Sequence, residues 1–227
     1  MTKNTFLLEW TAANALGLGV AFVAYLQIGM LAKYGLDFER YWQWEEQAVR
    51  HSIVSYAGIL LSLSIAGAIL GASQALVLRS HRLRVISWVL ATALGFALLA
   101  AVFWPLMAAG VLGIIPGPVE PILFTVGGCI LAGICQYLVL RRQGIAASRW
   151  LLLWVVGVIG GLALTAAFFM SIEGLGVSLG WLLDVFFSGF WVAGVAALVS
   201  GSTLFSALLS ARPEPALSDT PVAEGTR

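Results

Sequence analysis

Charged residues are scarce in this sequence. Aspartate, glutamate, lysine and arginine make up 10% of the 227 residues, whereas hydrophobic residues make up 60%. A soluble domain of average composition is about a quarter charged and about half apolar. The formal net charge is +1, so the chain has no basic excess of the kind that binds nucleic acid. We therefore expect the lipid bilayer to surround most of the chain, and no nucleic-acid partner.

Cysteine and histidine are equally rare, with two residues of each type. Cys129 and Cys135 lie in one apolar run, at a spacing that fits neither a zinc site nor a disulfide between neighbouring elements. We expect both to be buried as small hydrophobic side chains. Outside the loop at residues 45–51, the sequence indicates no paired carboxylates at matching depth, no phosphate-binding glycine loop and no exposed serine activated by a histidine base. It thus predicts no catalytic residue, no metal site and no cofactor.

What the sequence has instead is a series of long hydrophobic runs. A helix needs about 20 predominantly apolar residues to cross the hydrocarbon core, and these runs show no period-2 alternation typical of strands. The six predicted spans cover approximately residues 11–32, 53–78, 85–110, 121–140, 150–171 and 181–204. The predicted fold is an all-α integral membrane protein whose six transmembrane helices occupy residues 1–210. The tail, residues 211–227, has little to bury, so we expect it to be disordered in the cytoplasm.

Basic residues are distributed unevenly between the two sides of this arrangement. Loops rich in lysine and arginine are retained in the cytoplasm. If the N-terminus is cytoplasmic, nine of the 12 basic residues lie on that side: Lys3, Arg79, Arg82, Arg84, Arg141, Arg142, Arg149, Arg212 and Arg227. The pattern therefore predicts that both termini are cytoplasmic (N-in/C-in). The first apolar run is too long for a signal peptide, so we expect it to remain as the first span.

Two stretches of the sequence repeat each other. Residues 71–79, GASQALVLR, return as residues 133–141, GICQYLVLR, and each copy precedes a basic loop and then a tryptophan followed seven positions later by glycine. The glutamine-containing half has no clear third copy, because residues 201–212 keep the glycine and the final arginine but carry leucine in place of glutamine at a longer spacing, whereas the tryptophan–glycine half has a fainter third copy at the N-terminus. The tryptophan–glycine pairs are Trp10 with Gly17, Trp88 with Gly95 and Trp150 with Gly157. The repeat predicts three parallel helix pairs related by an axis along the membrane normal.

This combination of Gln-x-Leu-Val-Leu-Arg with Trp-x6-Gly resembles a group of uncharacterised bacterial multi-pass membrane proteins that carry the same pattern repeatedly. The likeness covers spans 1 to 5. It implies a multi-pass protein of the bacterial plasma (inner) membrane. It carries no activity and no functional residue over to this chain.

Polar residues near the basic ends of the spans are the candidate site. Gln74 and Gln136 lie five residues before the terminal arginine of their spans, about 7.5 Å inside the boundary, and Asn14 lies at a similar depth. Amides are costly in lipid unless they are paired, so we expect all three to face the bundle interior. They are either hydrogen-bonding glue between helices or, together with Ser202 and Thr203, the lining of a polar vestibule open to the cytoplasm.

Three further features of the sequence have generic explanations. The arginine clusters are topology determinants and candidate contacts for anionic lipid headgroups: Arg79, Arg82, Arg84, Arg141, Arg142 and Arg149. Stripes of small residues favour packing within the chain, with other membrane proteins or a second copy as alternative partners: Gly67 with Gly71, Gly157 with Gly161, and Gly189, Ala193, Ala197 and Gly201. Tryptophans near the span ends are expected in interfacial aromatic belts: Trp10, Trp88, Trp104, Trp150 and Trp181.

The outer loop, residues 33–52, is the longest connection, and its mixture of aromatic and acidic residues suits an interfacial helix. Residues 45–50 match the Glu-Glu-x-x-x-Arg motif of the intramembrane prenyl-protease family, which implies an enzyme. That family also needs histidines on two further helices, one of them preceded by phenylalanine at minus four. Here His51 and His81 have glutamine and valine at that offset, so the enzyme remains a remote alternative.

Taken together, the residues favour a non-enzymatic accessory or scaffold component of a membrane. The alternative is a channel or facilitator for a small polar solute, with its polar vestibule on the cytoplasmic side.

Overall fold

The computed structural model describes residues 2–34, 53–81, 83–108, 119–174 and 181–211. The regular secondary structure in these ranges is helical, with no strand, which confirms the all-α prediction. The elements are α1 (Lys3–Tyr34), α2 (Ile53–Leu78) with a 3-10 turn (Arg79–His81), α3 (Val85–Ala108), α4 (Val119–Arg142), α5 (Ser148–Gly174) and α6 (Trp181–Ser210). The predictions for residues 35–52 and 212–227 lie outside the described residues.

Five of these helices contain stretches long and apolar enough to cross a membrane. The stretches are Lys3–Ile28, Ala57–Leu78, Val85–Val102, Ser148–Phe168 and Phe186–Ser210. Length and composition are therefore those of a multi-pass membrane protein.

The first helix begins earlier than the hydrophobic run predicted. Thr2 caps it, because the backbone N–H of Thr5 donates to Thr2 Oγ1 at 3.2 Å and that of Phe6 to the Thr2 carbonyl at 3.0 Å. Glu9 interrupts the apolar run but not the helix, since its side chain is exposed while Trp10 beside it is buried. Because hydropathy averages over both faces of a helix, the hydrophobic run predicted a start for α1 that is too late.

The helices form a closed ring in which each packs antiparallel against the next and α6 packs against α1. In the α2–α3 pair, Gly67 lies against Ala93 and Gly71 lies against Val89. At the closing seam, Gly189 contacts the backbone of Leu18. The contact between α4 and α5 is the least extensive of the six.

Glycines make these close approaches possible. A Cβ atom on any glycine of the predicted stripes would lie 2.5 to 2.9 Å from an atom of the neighbouring helix. Gly67 and Gly71 face α3, Gly157 and Gly161 face α6, and Gly189 and Gly201 face α1. The stripes therefore lie in contacts within the chain.

The outer surface is apolar, as a lipid-facing surface requires. On α3, Ile86, Leu90, Leu94, Leu98 and Val102 follow one another at four-residue spacing and are 41% to 75% exposed. Burying such rows is what normally stabilises a soluble bundle, whereas here they remain on the outside.

One end of the bundle carries the basic residues whose side chains the structure describes. The alternating helix directions bring the N-termini of α1, α3 and α5 together with the C-termini of α2, α4 and α6. The exposed basic side chains there are Lys3, Arg79, Arg84, Arg141, Arg142 and Arg149, and we call this end the basic end. Arg82 lies outside the described residues.

The α4–α5 turn at this end has a defined structure. Gly144, at φ +75°, closes α4: its N–H donates to the Arg141 carbonyl at 3.0 Å, and the Ile145 N–H donates to the Leu140 carbonyl at 3.0 Å. These two bonds form a Schellman motif, which requires the left-handed conformation that glycine adopts without strain.

Candidate functional site: a buried layer of amides and indoles

Six polar or aromatic side chains form a layer inside the basic end. They come from the first five helices: Trp10 and Asn14 (α1), Gln74 (α2), Trp88 (α3), Gln136 (α4) and Trp150 (α5). Each of them is at most 1% exposed. We call this set the amide–indole layer.

The three amides of the layer form a directional chain of hydrogen bonds. Asn14 Nδ2 donates to the carbonyl oxygen of Trp10 at 2.8 Å. Gln74 Nε2 donates to Asn14 Oδ1 at 2.6 Å, and Gln136 Nε2 donates to Gln74 Oε1 at 2.6 Å. Because α3 lies between α2 and α4 in the ring, the bond between the glutamines crosses the bundle interior.

Helix α3 joins this chain through two side chains. Trp88 Nε1 donates to Gln74 Oε1 at 2.8 Å, and Gln136 Nε2 donates to Thr92 Oγ1 at 2.7 Å. Thr92 Oγ1 itself donates to the Trp88 carbonyl at 2.9 Å. Both oxygens that face the Gln136 amide can therefore only accept, so Gln136 must present its NH2 group to them. The partners fix the orientation of this amide.

Three polar atoms of the layer have no hydrogen-bond partner among the described residues. They are Gln136 Oε1, Trp10 Nε1 and Trp150 Nε1. Buried polar atoms are nearly always paired, so each of these atoms requires an explanation. The chain thus ends at a buried acceptor, Gln136 Oε1, that has nothing donating to it.

The tryptophans of the layer pack in a row through the core. Trp88 lies between the other two, with ring centroids 6.2 Å from Trp10 and 6.1 Å from Trp150. Trp154 extends the row, 6.1 Å from Trp150. The aromatic-belt prediction is therefore wrong for Trp10, Trp88 and Trp150, because a belt residue sits at the membrane surface and these are fully buried. The side chains of Trp104 and Trp181 lie outside the described part.

Ser202 and Thr203 do not take part in the chain. Both are half-buried; Thr203 Oγ1 donates to the Ser200 carbonyl at 2.6 Å, and the Ser202 carbonyl accepts from Ser206 Oγ at 3.0 Å. The α6 residue beside the Trp10 indole is Gly201, where a Cβ would lie 3.0 Å from Trp10 Cδ1. Helix α6 therefore brings no amide to Trp10, although α2 brings Gln74 to Trp88.

The chemistry that this layer can perform is limited to hydrogen bonding. Its side chains are amides and indoles, and the Thr92 side chain that joins them is a hydroxyl; none of these groups is an acid or base near neutral pH. Within the described ranges, no group of three His, Cys, Asp or Glu side chains is placed to hold a metal ion. Cys129 and Cys135 are free thiols, the first buried and the second half-buried. Glu45, Glu46 and His51 of the protease-like motif lie outside the described residues.

The sequence contained a signal for the buried tryptophans that the belt interpretation overlooked. Trp88 and Gly95 are seven residues apart, so they lie on the same helix face. Gly95 packs directly against the backbone of Ala132 in α4. A tryptophan on the face of such a glycine points into the bundle. Thr92 lies between Trp88 and Gly95 on the same helix face, so the same spacing indicates that it also points into the bundle.

Comparison with protein-family models, curated proteins and solved structures found no match to this chain.

Proposed function

We propose that this protein is a non-enzymatic accessory or scaffold component of a bacterial plasma membrane. The observation that carries the proposal is that the amides of the amide–indole layer form hydrogen bonds between α1, α2, α3 and α4. These amides are at most 1% exposed. Polar groups that are satisfied inside a bundle fix the register of its helices. The layer therefore holds the helices together and has a structural role.

In this proposal all six helices span the membrane and the basic end lies in the cytoplasm. Helix α4, the one described helix outside the five apolar stretches given above, has 24 residues, which is long enough to span the membrane, and it ends in Arg141 and Arg142. The concentration of exposed lysine and arginine at the basic end supports the N-in/C-in orientation through the positive-inside rule.

We also propose that the bundle consists of three helix pairs. The offset of 62 residues that relates Gln74 to Gln136 also relates Gly95 to Gly157. Gly95 packs on the backbone of Ala132, the helix after its own, and Gly157 packs likewise on Ala196. Equivalent residues therefore make equivalent contacts, as expected for a parallel repeat.

The channel alternative receives less support from the same residues. A vestibule needs polar side chains that face an open space, whereas Asn14, Gln74 and Gln136 are buried and mostly paired. Thr203 donates its hydroxyl to the Ser200 carbonyl of its own helix.

The surfaces left for partners are the outer faces and the basic end. The apolar rows suit lipid chains or the helices of another membrane protein, and the exposed arginines suit anionic lipid headgroups. Self-association through the predicted glycine stripes would compete with their contacts inside the chain.

The test is extraction of the protein from its native membrane in a mild detergent or polymer disc, followed by mass spectrometry of what remains bound. One membrane protein recovered at a near-stoichiometric level supports the proposal. A second measurement uses Gln74→Met, which we expect to lower stability without changing solute permeability of proteoliposomes. Extraction of the protein alone, together with a solute flux that this substitution abolishes, would contradict the scaffold role.

A further inference from the structure

The α4–α5 pair departs from the α2–α3 pair in how closely its backbones approach. In α2–α3, a Cβ on Gly71 would lie 2.9 Å from the Cα of Val89 and 3.0 Å from Thr92 Cβ. In α4–α5, the three atoms nearest to a Cβ on Gly133 all belong to side chains, of which Trp154 Cδ1 is nearest at 2.6 Å. An indole therefore stands between the glycine and the α5 backbone.

Trp154 is the sequence counterpart of Thr92, since both lie four residues after the layer tryptophan of their helix. Its Nε1 donates to the Cys129 carbonyl of α4 at 2.9 Å, and its side chain is fully buried. A large side chain replaces a small one and acts as a fixed spacer. This replacement explains why the α4–α5 contact is the least extensive in the ring.

The spacer coincides with a missing hydrogen bond. In α2–α3, the Trp88 indole donates directly to Gln74. The counterpart residues are Trp150 and Gln136, and the two atoms that would form the counterpart bond, Trp150 Nε1 and Gln136 Oε1, are both unpaired. One is a donor and the other an acceptor, so they are complementary.

Gln136 and Trp150 also lie at the same level of the bundle. The helices are antiparallel, and Gly133 lies opposite Leu151 and Trp154, so Gln136 lies opposite the preceding turn of α5, which holds Trp150. Both residues flank Trp88: its ring packs against Trp150, and Gln136 donates to the Gln74 oxygen that also accepts from Trp88.

We propose that Gln136 Oε1 and Trp150 Nε1 together bind one hydroxyl group between α4 and α5. The hydroxyl oxygen accepts from the indole N–H and its hydrogen is donated to the amide oxygen, so the group replaces the direct bond seen in α2–α3. The occupant is neutral, because the layer carries no charge to balance an ion. Since Gln136 stands at the end of an aligned amide chain, its oxygen is a strengthened acceptor.

Two sources supply this chemistry: an internal water molecule, or the hydroxyl of a lipid or small alcohol that enters between the helices. Buried waters typically bridge such unsatisfied groups. The least extensive seam of the ring provides the entry for a larger molecule. The inference depends on the contacts of α4 and α5 and not on the scaffold role.

The test is NMR of the protein with ¹⁵N-labelled tryptophan indoles in lipid nanodiscs, with Trp150 assigned by Trp150→Phe. We expect a cross-relaxation peak from the Trp150 indole hydrogen to a long-lived water or to the hydroxyl-bearing carbon hydrogens of a retained lipid or alcohol. Trp88, which donates to a protein oxygen, is the internal control and should show neither peak. Absence of both peaks at Trp150 would overturn the proposal.

A second measurement tests whether the two residues share one occupant. Trp150→Phe removes the indole N–H together with part of the ring, and we expect the side-chain carbonyl ¹³C resonance of Gln136 to shift as its hydroxyl partner is lost. The control is Thr203→Val, whose hydroxyl bonds within its own helix and which should leave that resonance in place. An unchanged Gln136 resonance in a folded Trp150→Phe protein would also overturn the proposal.

Discussion

Replacing Gln74 by methionine tests the amide–indole layer most directly, because methionine keeps the unbranched shape and removes the polar atoms. Gln74 donates to Asn14 and accepts from both Trp88 and Gln136. Without it, Asn14 Oδ1 and Trp88 Nε1 lose their partners, whereas Gln136 Nε2 keeps Thr92. Two buried polar groups are therefore left unpaired.

The expected loss follows from these two groups. An unsatisfied buried donor or acceptor costs about 1–3 kcal/mol, and interhelical hydrogen bonds in membrane proteins contribute about 0.6 kcal/mol on average with a maximum of about 1.7 kcal/mol. We expect Gln74→Met to lower the free energy of unfolding by about 2–4 kcal/mol.

Gln136→Met provides a graded comparison. Its removal leaves Gln74 Oε1 still bonded to Trp88, and Thr92 Oγ1 still donates to the Trp88 carbonyl. No described donor or acceptor becomes unpaired, so we expect a loss of about 0.5–1.5 kcal/mol, the worth of ordinary hydrogen bonds.

The assay is reversible unfolding in mixed micelles with increasing SDS, followed by tryptophan fluorescence. Ser206→Ala is the control: this exposed serine bonds only to its own helix, so its removal should stay within about 0.5 kcal/mol of the parent. The reasoning fails if Gln136→Met is as destabilising as Gln74→Met, or if Gln74→Met is indistinguishable from the control.

Three further predictions concern packing, orientation and lipid contact. Gly157→Ala should destabilise the bundle by about 2–4 kcal/mol in the same assay, because the added Cβ would lie 2.5 Å from Ala196 Cα. Gly160→Ala on the same helix is the control: the atom nearest to its added Cβ is 3.8 Å away, so it should change stability by less than about 0.5 kcal/mol. Ser210→Cys, with both native cysteines replaced by alanine, should react with a membrane-impermeant maleimide in inverted vesicles; reaction in right-side-out vesicles would reverse the proposed orientation. Arg141→Gln with Arg142→Gln should reduce co-purifying anionic lipid about tenfold or more at low salt by native mass spectrometry, while lysine at both positions should retain it; equal loss with lysine would argue against a charge effect.

The sequence was a good guide to where helices form and a poor one to which faces they bury. Apolar runs located six helices because length and hydropathy determine whether a segment can cross lipid. The burial of Asn14, Gln74 and Gln136 inside the bundle followed from the cost of unpaired amides in lipid. Trp88 was misplaced because tryptophan is common both at the membrane surface and in a core, and its residue type does not distinguish them.

The partners within the layer depended on contacts that no local pattern specifies. Gln74 meets Gln136 across the bundle, 62 positions away in sequence, so neither residue identifies the other. Thr203 was grouped with the amides because it lies on a span end, but a hydroxyl in a helix readily bonds to a carbonyl of its own preceding turn. Only the packing of the helices separates these two cases.

The contact between α1 and α6 determines how the bundle can be completed during synthesis. The ribosome delivers α1 first and α6 last, and chains fold from the N-terminus as they emerge. The α1 face that holds Leu18 therefore has no partner until Gly189 and the rest of α6 have been inserted. A chain that stops after the fifth helix would leave this face open inside the membrane, where small-residue surfaces pair readily with other helices. Insertion of α6 is therefore the step that covers the exposed face of α1.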